Sequence, residues 1–261
     1  MGLGDQAAGG NPFEKFFKIS EIGIAIGIIF IVMMLIIPLP SAILDVLITL
    51  NLASAIVILL ISIYISNPLE FAVFPTMMLV TTLFRLGINV STTRMILLHG
   101  HEKNLAGEPI GAGEVIPAFG EVVVGGNMVV GLVVFIILIV IQILVITAGA
   151  ERIAQVAARF TLDAMPGKQM AIDADLHSGL LDAEGAKLRR RQIEREADFY
   201  GAMDGAGKFV KGDSIASIVI MIINLLAGIL IGVLMQGMKA GDALNTYAIL
   251  SIGDGLSSTL P

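Results

Sequence analysis

Six apolar windows, each long enough to cross a bilayer as a helix, constrain this chain more than any other feature. A helix rises about 1.5 Å per residue, so about 20 residues cross the roughly 30 Å of hydrocarbon. The windows lie at 19–37, 41–65, 76–98, 122–148, 214–236 and 243–260. Only 15% of the residues are charged, well below the share in soluble domains. We predict an all-α polytopic membrane protein with about six transmembrane helices.

The windows divide the chain into four segments. Residues 1–18 form a polar N-terminal lead, 19–148 hold transmembrane helices one to four, 149–212 form a charged loop domain, and 213–261 hold helices five and six. The loop has helical composition, and we expect it to fold as a helical domain with a turn at Pro166 and Gly167. Because the last window ends without a basic cluster, we also expect further spans and a soluble part beyond residue 261.

The distribution of Lys and Arg predicts the orientation of the chain. Ten of the sixteen basic residues lie between Arg152 and Lys211, and Lys15 and Lys18 lie in the N-terminal lead. Basic residues accumulate in cytoplasmic segments, so we expect the 149–212 loop and the N-terminus to be cytoplasmic. The 99–121 loop, where Lys103 is accompanied by four glutamates, is then on the outer side.

The third window carries two arginines, which are costly in lipid. An arginine at mid-bilayer costs about 2.5–3.5 kcal/mol on insertion scales, so Arg85 needs a partner or a wet cavity. Asn89 lies four residues on, and Thr92 and Thr93 follow, so one helix face is polar and should face protein. This face can serve a function or only hold helices together. Arg94 lies on the opposite face, near enough to the outer end to snorkel.

Two carboxylates lie near window boundaries. Asp45 is a turn inside the presumed outer boundary, where it can be hydrated or can hold and release a proton. Asp213 directly precedes the apolar run SIASIV. Its simplest role is the N-cap of the fifth helix, where it would accept hydrogen bonds from free backbone amides. The same position, beside lysines and a glycine-rich stretch, is also suited to an ion relay.

Several classes of function lack their signatures. The chain has no cysteine, its three histidines are scattered, and the HExxH, GxxxxGK[ST] and GxSxG motifs do not occur. We therefore predict no enzyme activity, no metal site and no cofactor. The aromatic and basic pattern typical of nucleic-acid binding is missing as well.

Two stretches resemble a known family. RLGINVSTTRMIL at 85–97 and the segment from FTLDAMPGKQ to FVKGD at 160–213 are similar to the FHIPEP family, the integral-membrane export gates of flagellar and type III secretion systems. EADFYGAMDGA is closer to flagellar members. The resemblance implies an eight-span membrane domain, of which this chain matches the larger part, and a large cytosolic domain that it lacks.

The resemblance also implies partners and a location. It places the chain in the bacterial inner membrane, in a homo-oligomeric, nonameric ring beneath the export pore and beside other export-gate membrane proteins. Export substrates, chaperones and the ATPase complex would bind mainly through the missing cytosolic domain. The family implies coupling of the proton motive force, or of sodium, to protein export.

The positions that match the family, together with the two arginines of the third window, give two groups of candidate residues. The ion relay or switch candidates are Asp45, Asp163, Asp204, Lys208, Asp213 and Asp254. The charge-pairing candidates are Arg85, Arg94, Arg152 and Arg159. Asp163, four residues after Arg159, can form or release an ion pair as a nearby acid is protonated. Asp254, between two glycines, either lines a cavity or lies at the cytoplasmic interface.

Three functions remain open at this point. The first is an ion-coupled component of the export gate, which uses these carboxylates. The second is a ring-forming scaffold whose charges serve only insertion and packing. A small-molecule secondary transporter, the third, predicts an inverted repeat, and the sequence shows none.

Overall fold

The protein is described by a computed structural model that covers residues 12–102 and 111–261. All regular structure in these ranges is helical, so the all-α prediction is confirmed. The helices are α1 (Pro12–Ile36), α2 (Ser41–Tyr64), α3 (Phe74–His99), α4 (Val115–Val124), α5 (Met128–Ile141), α6 (Ala148–His177), α7 (Ala183–Leu234) and α8 (Ala240–Thr259). A 3₁₀ turn, Pro68–Phe71, precedes α3, and a π-helical segment, Gln142–Thr147, joins α5 to α6.

Three helical stretches in the described ranges are long and apolar enough to cross a membrane. They are α2, the continuous helix Met128–His177 formed by α5 and α6, and α7. The predicted windows at 41–65 and 76–98 agree closely with α2 and α3. α3 and α8 carry more polar side chains than the apolar parts of these three stretches, and most of α8 is buried inside the bundle. The prediction that the chain contains helices able to cross a membrane therefore agrees with the structure.

The ends of several elements differ from the prediction. α1 begins at Pro12, inside the segment that we assigned to the polar N-terminal lead, and residues 1–11 lie outside the described ranges. The 99–121 loop contains the first turns of α4, which pack against α8. Lys103 and Glu108, two of the charges in that loop, also lie outside the described residues.

The fourth apolar window is not one helix. α4 ends at Val124, where Gly125 takes a left-handed conformation with φ +54° and Gly126 follows with φ +80°. Asn127 then caps α5 because its side-chain oxygen accepts hydrogen bonds from the next free amides. Two glycines that tolerate positive φ, followed by a capping asparagine, explain a break that hydropathy alone hides.

α6 and α7 form a long antiparallel hairpin. The turn predicted at Pro166 and Gly167 was wrong, because both residues lie within α6. Ile172 of α6 packs against Ala186 and Ile193 of α7, and this tertiary contact offsets the one backbone hydrogen bond that a proline removes. The chain turns instead after α6, at Gly179 with φ +75°, and Asp182 caps α7.

α7 is continuous from the hairpin into the apolar bundle. Its glycine-rich stretch at 201–212 is helical, so Asp213 lies in the middle of a 52-residue helix. The expectation that Asp213 caps a separate fifth helix was wrong for this reason. No free amide is available at that position, since the preceding turns already pair the backbone groups.

Glycines allow the central helices to approach closely. Gly228 and Gly232 of α7 lie against the ring of Tyr247 of α8, which is fully buried. Gly253 of α8 lies against the backbone of Ile116 in α4. Small residues at such crossings let polar side chains of neighbouring helices reach each other. The close contact of α3, α4, α7 and α8 therefore creates the interior in which the candidate site lies.

Candidate functional site

A buried charge pair joins α3 to α7. The Arg85 guanidinium donates through Nη2 to Asp213 Oδ2 and through Nη1 to the Ser258 carbonyl oxygen of α8 at 3.2 Å. The Asp213 side chain is 1% exposed and that of Arg85 is 12% exposed. Arg85 lies eleven residues from the start of α3, about 16 Å along the helix axis. An ion pair thus occupies the middle of the bundle.

The same two helices form a second polar contact one turn further on. Asn89 Nδ2 donates to Ser217 Oγ at 3.0 Å, and both side chains are buried. Arg85 to Asp213 and Asn89 to Ser217 are each separated by 128 residues, so α3 and α7 run parallel and in register over this stretch. The four-residue spacing on both helices places the two contacts on one face.

A second carboxylate lies at the far end of this row. Asp254 of α8 is 3% exposed and accepts hydrogen bonds from Thr92 Oγ1 at 2.6 Å and Asn224 Nδ2 at 3.1 Å. Thr92 is seven residues from Arg85 on α3 and Asn224 is eleven residues from Asp213 on α7, so Asp254 lies about 10–16 Å beyond the ion pair along the helix axes. We call the row from Arg85 and Asp213 to Asp254 the buried polar network.

Some polar atoms of the network are buried and have no hydrogen-bond partner in the part of the chain that the structure describes. They are Arg85 Nε, Asp213 Oδ1 and Asn224 Oδ1. A buried polar atom without a partner costs about 1–3 kcal/mol. The network therefore keeps hydrogen-bonding capacity that a water molecule or a proton can use. It also contains only one cation for two carboxyl groups among the hydrogen bonds described above.

Asp45 lies outside the network and stabilises a helix start. Its two carboxylate oxygens accept hydrogen bonds from the backbone amides of Glu114, the N-cap of α4, at 3.0 Å and of Val115, its first residue, at 3.1 Å. Gly113 precedes them with φ +87°, and a side chain there would overlap the Asp45 carboxylate. The carboxylate thus caps a helix 70 residues away in the sequence.

Arg94 also acts at a helix end. Its Nη1 donates to the Ile36 carbonyl oxygen at 2.9 Å and its Nη2 to that of Leu35 at 3.1 Å. These carbonyls belong to the last turn of α1, where no intrahelical donor remains. Arg94 therefore fastens the end of α1 to α3, on the side of α3 away from Asp213.

The remaining candidates lie on the hairpin. Arg159 Nε is 3.6 Å from Asp163 Oδ2, with both side chains largely exposed, and Arg152 is exposed as well. Lys208 donates to Asp204 Oδ2 at 2.7 Å, and this hydrogen bond raises the pKa of the lysine. Lys208 consequently stays protonated at any cellular pH. None of these five side chains belongs to the buried polar network.

Sequence reasoning missed three contributors. Asn224 and Ser217 were not among the candidate residues, yet both complete the network. Glu151, just beyond the π-helical segment, pairs with Lys211 at 2.7 Å and links α6 to α7. A signal existed for Asn224, because it is the one amide in the long apolar half of α7. Within the described ranges, no group of three or more His, Asp or Glu side chains could hold a metal ion.

Apolar helices around a buried row of charged and amide side chains define an α-helical integral membrane protein with ionisable groups in its interior. Residues 31–261 match the FHIPEP family. The chain belongs to that family, and the resemblance seen in its sequence is confirmed.

Similar proteins include flagellar biosynthesis proteins and one protein with a different name. The chain is 55% identical to the flagellar biosynthesis protein FlhA of Caulobacter vibrioides over 241 residues, which is 92% of this chain and 34% of that protein. It is 54% identical to the FlhA protein of Escherichia coli K12, over 90% of this chain and 33% of that protein. The low calcium response locus protein D of Yersinia pestis is 49% identical, over 92% and 33%.

The chain thus spans about a third of the length of these curated relatives. No solved structure matches it.

Proposed function

We propose that this chain is the ion-coupled membrane part of a flagellar-type protein export gate in the bacterial inner membrane. The observation that carries the proposal is the Arg85 and Asp213 pair, buried in mid-helix and continued by the buried polar network to Asp254. Buried ionisable groups in membrane bundles mark ion pathways and relays more often than packing sites. The names of the FlhA relatives support the flagellar assignment.

The network suggests how an ion could change the packing of the helices. A proton on Asp213 removes the negative charge that compensates Arg85, and an uncompensated guanidinium in the bundle favours a rearrangement of α3 against α7. Asn89 and Ser217, next along the row, can donate and accept hydrogen bonds toward Asp254. Protonation and release at the two carboxyl groups would then alternate between two packings.

The topology belongs to the same proposal. α1, α2, α3, α5, the apolar half of α7 and α8 are the six passes, with the hairpin and the N-terminus in the cytoplasm. A homo-oligomeric, nonameric ring, other export-gate membrane proteins, and substrates bound elsewhere in the whole protein are the expected partners. We propose no enzyme activity for this part.

The rival function is a scaffold of the export apparatus that conducts no ion. Asp45 and Arg94 favour it, because both side chains satisfy the free backbone groups of helix ends and so serve the fold. In this account the Arg85 and Asp213 pair also serves only to hold α3 against α7.

The experiment that separates the two functions replaces Asp213 in the whole protein. We expect Asp213→Asn to assemble while it loses proton flux into proteoliposomes and loses export in cells. Asp175→Asn, which breaks the exposed pair with Arg189 on the hairpin, is the matched control and should keep both. Asp213→Glu should restore part of the flux. If Asp213→Asn keeps the wild-type flux and export, the relay is refuted and the scaffold remains.

A further inference from the structure

The outer face of α6 carries a row of exposed apolar and small residues. The row, which we call the α6 row, consists of Ile153, Val156, Phe160, Gly167, Ala171 and Ala174. Its spacings of 3, 4, 7, 4 and 3 residues follow the periodicity with which helices pack side by side. Phe160, the largest residue of the row, is 72% exposed. The α6 row is therefore suited to contact another protein surface.

Lipid does not account for the exposure of Phe160. The apolar helix that leads into α6 begins at Met128, and the stretch from there to Thr147 already has the length of about 20 residues that crosses the hydrocarbon. Phe160 follows Thr147 by 13 residues, about 20 Å further along the helix. Since this distance places the ring beyond the hydrocarbon, a protein partner fits it better than an acyl chain.

A crevice on α7 can receive such a side chain. It lies between α7 and the 3₁₀ turn before α3, and its volume of about 490 Å³ is within the range of pockets that hold small molecules. We call it the α7 socket; its wall includes Leu69, Glu70, Arg195, Asp198, Phe199 and Ala202. Ala202 is nine residues from Ile193, which packs against α6, so the socket lies about 180° from that contact.

The exposed ring and the socket lie at nearly the same height on the hairpin. Lys168 of α6 pairs with Glu196 of α7 at 2.7 Å, so these residues are opposite each other. Eight residues back along α6 is Phe160, and eight residues on along α7 is Asp204. The height of Phe160 thus differs by about 3 Å from that of Ala202 in the socket. Two different surfaces at one height can join successive copies around an axis normal to the membrane and close a ring.

The charges beside the ring complement those of the socket. Arg159 Nε is 3.6 Å from Asp163 Oδ2, and the two side chains are 83% and 70% exposed, so their mutual attraction is weak. The socket presents one cation, Arg195, and two anions, Glu70 and Asp198, all exposed. Asp163 of one copy can then pair with Arg195 of the next. Arg159 can pair with Glu70 or Asp198 in the same contact.

We infer that the hairpins of neighbouring copies dock head to tail, with Phe160 of one copy in the α7 socket of the next. The inference rests on the homo-oligomeric assembly within the proposed function and adds the surface that joins the copies. A second copy is the partner that fits, because the ring, the socket and the complementary charges all belong to one chain. Arg159 and Asp163, which lie outside the buried polar network, then serve subunit contact.

Cysteine crosslinking in the purified whole protein, reconstituted into vesicles, tests the docking. This chain contains no cysteine, so Phe160→Cys and Ala202→Cys together introduce the one thiol pair within it. Axes of packed helices are about 8–10 Å apart, and both positions point away from the contact between α6 and α7. Their Cα atoms in one copy are therefore farther apart than the roughly 7 Å that a disulfide allows. A disulfide between these positions can only join two copies.

We expect mild oxidation of the double variant to give a ladder of disulfide-linked oligomers. Either single variant should give at least tenfold less dimer, because identical positions do not meet in a head-to-tail contact. The matched control is Leu162→Cys with Ala202→Cys. Leu162 is 40% exposed, but it lies about 200° from Phe160 around α6. Equal yields from the two double variants, or no ladder from Phe160→Cys with Ala202→Cys, would overturn the docking.

A charge exchange in the crosslinking variant tests the orientation of the contact. Asp163→Arg should lower the yield of the ladder about two- to fivefold, the range expected for an exposed ion pair. Addition of Arg195→Asp should restore the yield. A yield that Asp163→Arg leaves unchanged, or that the second replacement lowers further, would overturn the predicted pairing.

Flux measurements separate this inference from the proposed function. If the ladder forms but Asp213→Asn keeps its proton flux, the ion-coupled function fails and the docking stands. If Asp213→Asn loses its flux and the protein is oligomeric in detergent, but Phe160→Cys with Ala202→Cys gives no ladder, the docking fails and the function stands.

Discussion

Replacing Asp213 alone should destabilise the protein, whereas replacing both Arg85 and Asp213 should restore most of the lost stability. Breaking a buried ion pair by removal of one partner costs about 3–5 kcal/mol, because the other charge stays buried and uncompensated. The Arg85 side chain is 12% exposed and also reaches the Ser258 carbonyl oxygen, so water and this carbonyl relieve part of the cost. We therefore expect about 3 kcal/mol for Asp213→Leu, roughly a hundredfold change in the folded to unfolded ratio.

The double replacement removes both charges at once. Arg85→Met with Asp213→Leu leaves apolar side chains of similar volume between α3 and α7, and such exchanges are often neutral or stabilising. The double variant should thus recover most of the stability that Asp213→Leu loses. Export should stay lost, since the carboxyl group is absent in both variants.

The assay is unfolding of the purified whole protein in mixed micelles by added dodecyl sulfate, followed by circular dichroism at 222 nm. The two single variants, the double variant and the wild type form a double-mutant cycle, which isolates the coupling between the pair. A coupling near zero would contradict the buried pair. Wild-type export by the double variant would show that the pair serves only the fold.

Three further replacements test the helix contacts. Asp45→Ala should destabilise α4 by about 1 kcal/mol through loss of its cap and should speed hydrogen exchange of the first α4 amides. Gly253→Ala should cost about 1–3 kcal/mol in thermal unfolding, because the added methyl overlaps the Ile116 carbonyl oxygen, whereas Gly241→Ala has free space and should not. Arg94→Ala should release the last turn of α1 and raise its hydrogen exchange; Arg94→Lys should retain part of the protection.

Helix positions were predictable where apolar runs end at strong local signals. Pro38 and Pro40 separate the first two windows, and α2 begins right after them. The hairpin was harder to predict from the sequence, because Pro166 and the glycines at 201–212 normally weaken helices. Packing of α6 against α7 overrides these preferences, and packing between segments far apart in sequence has no local signature.

The site was predictable only in part, for a related reason. The insertion cost of Arg85 requires a partner, but the partner lies 128 residues away on a parallel helix. Asp213 was interpreted as a cap because it stands where charged sequence meets apolar sequence. The same boundary occurs in a continuous helix that passes from water into the membrane, so the sequence alone does not separate the two cases. Asp45, in contrast, is a helix cap that the sequence did not reveal, because the amides it binds at the start of α4 were predicted to lie in a loop.

The unbroken course of α7 has a mechanical consequence. Asp213 lies 30 residues, about 45 Å, from the hairpin end of this helix, so one unbroken helix connects the ion pair with the hairpin tip. A pivot of about 5° at the pair displaces that tip by roughly 4 Å over this length. The antiparallel helix, α6, follows the wider π-helical turns at Gln142–Thr147, where the backbone can bend. With α7 unbroken and the π-helical segment before α6 able to deform, a small shift near Arg85 would move the hairpin tip in one direction.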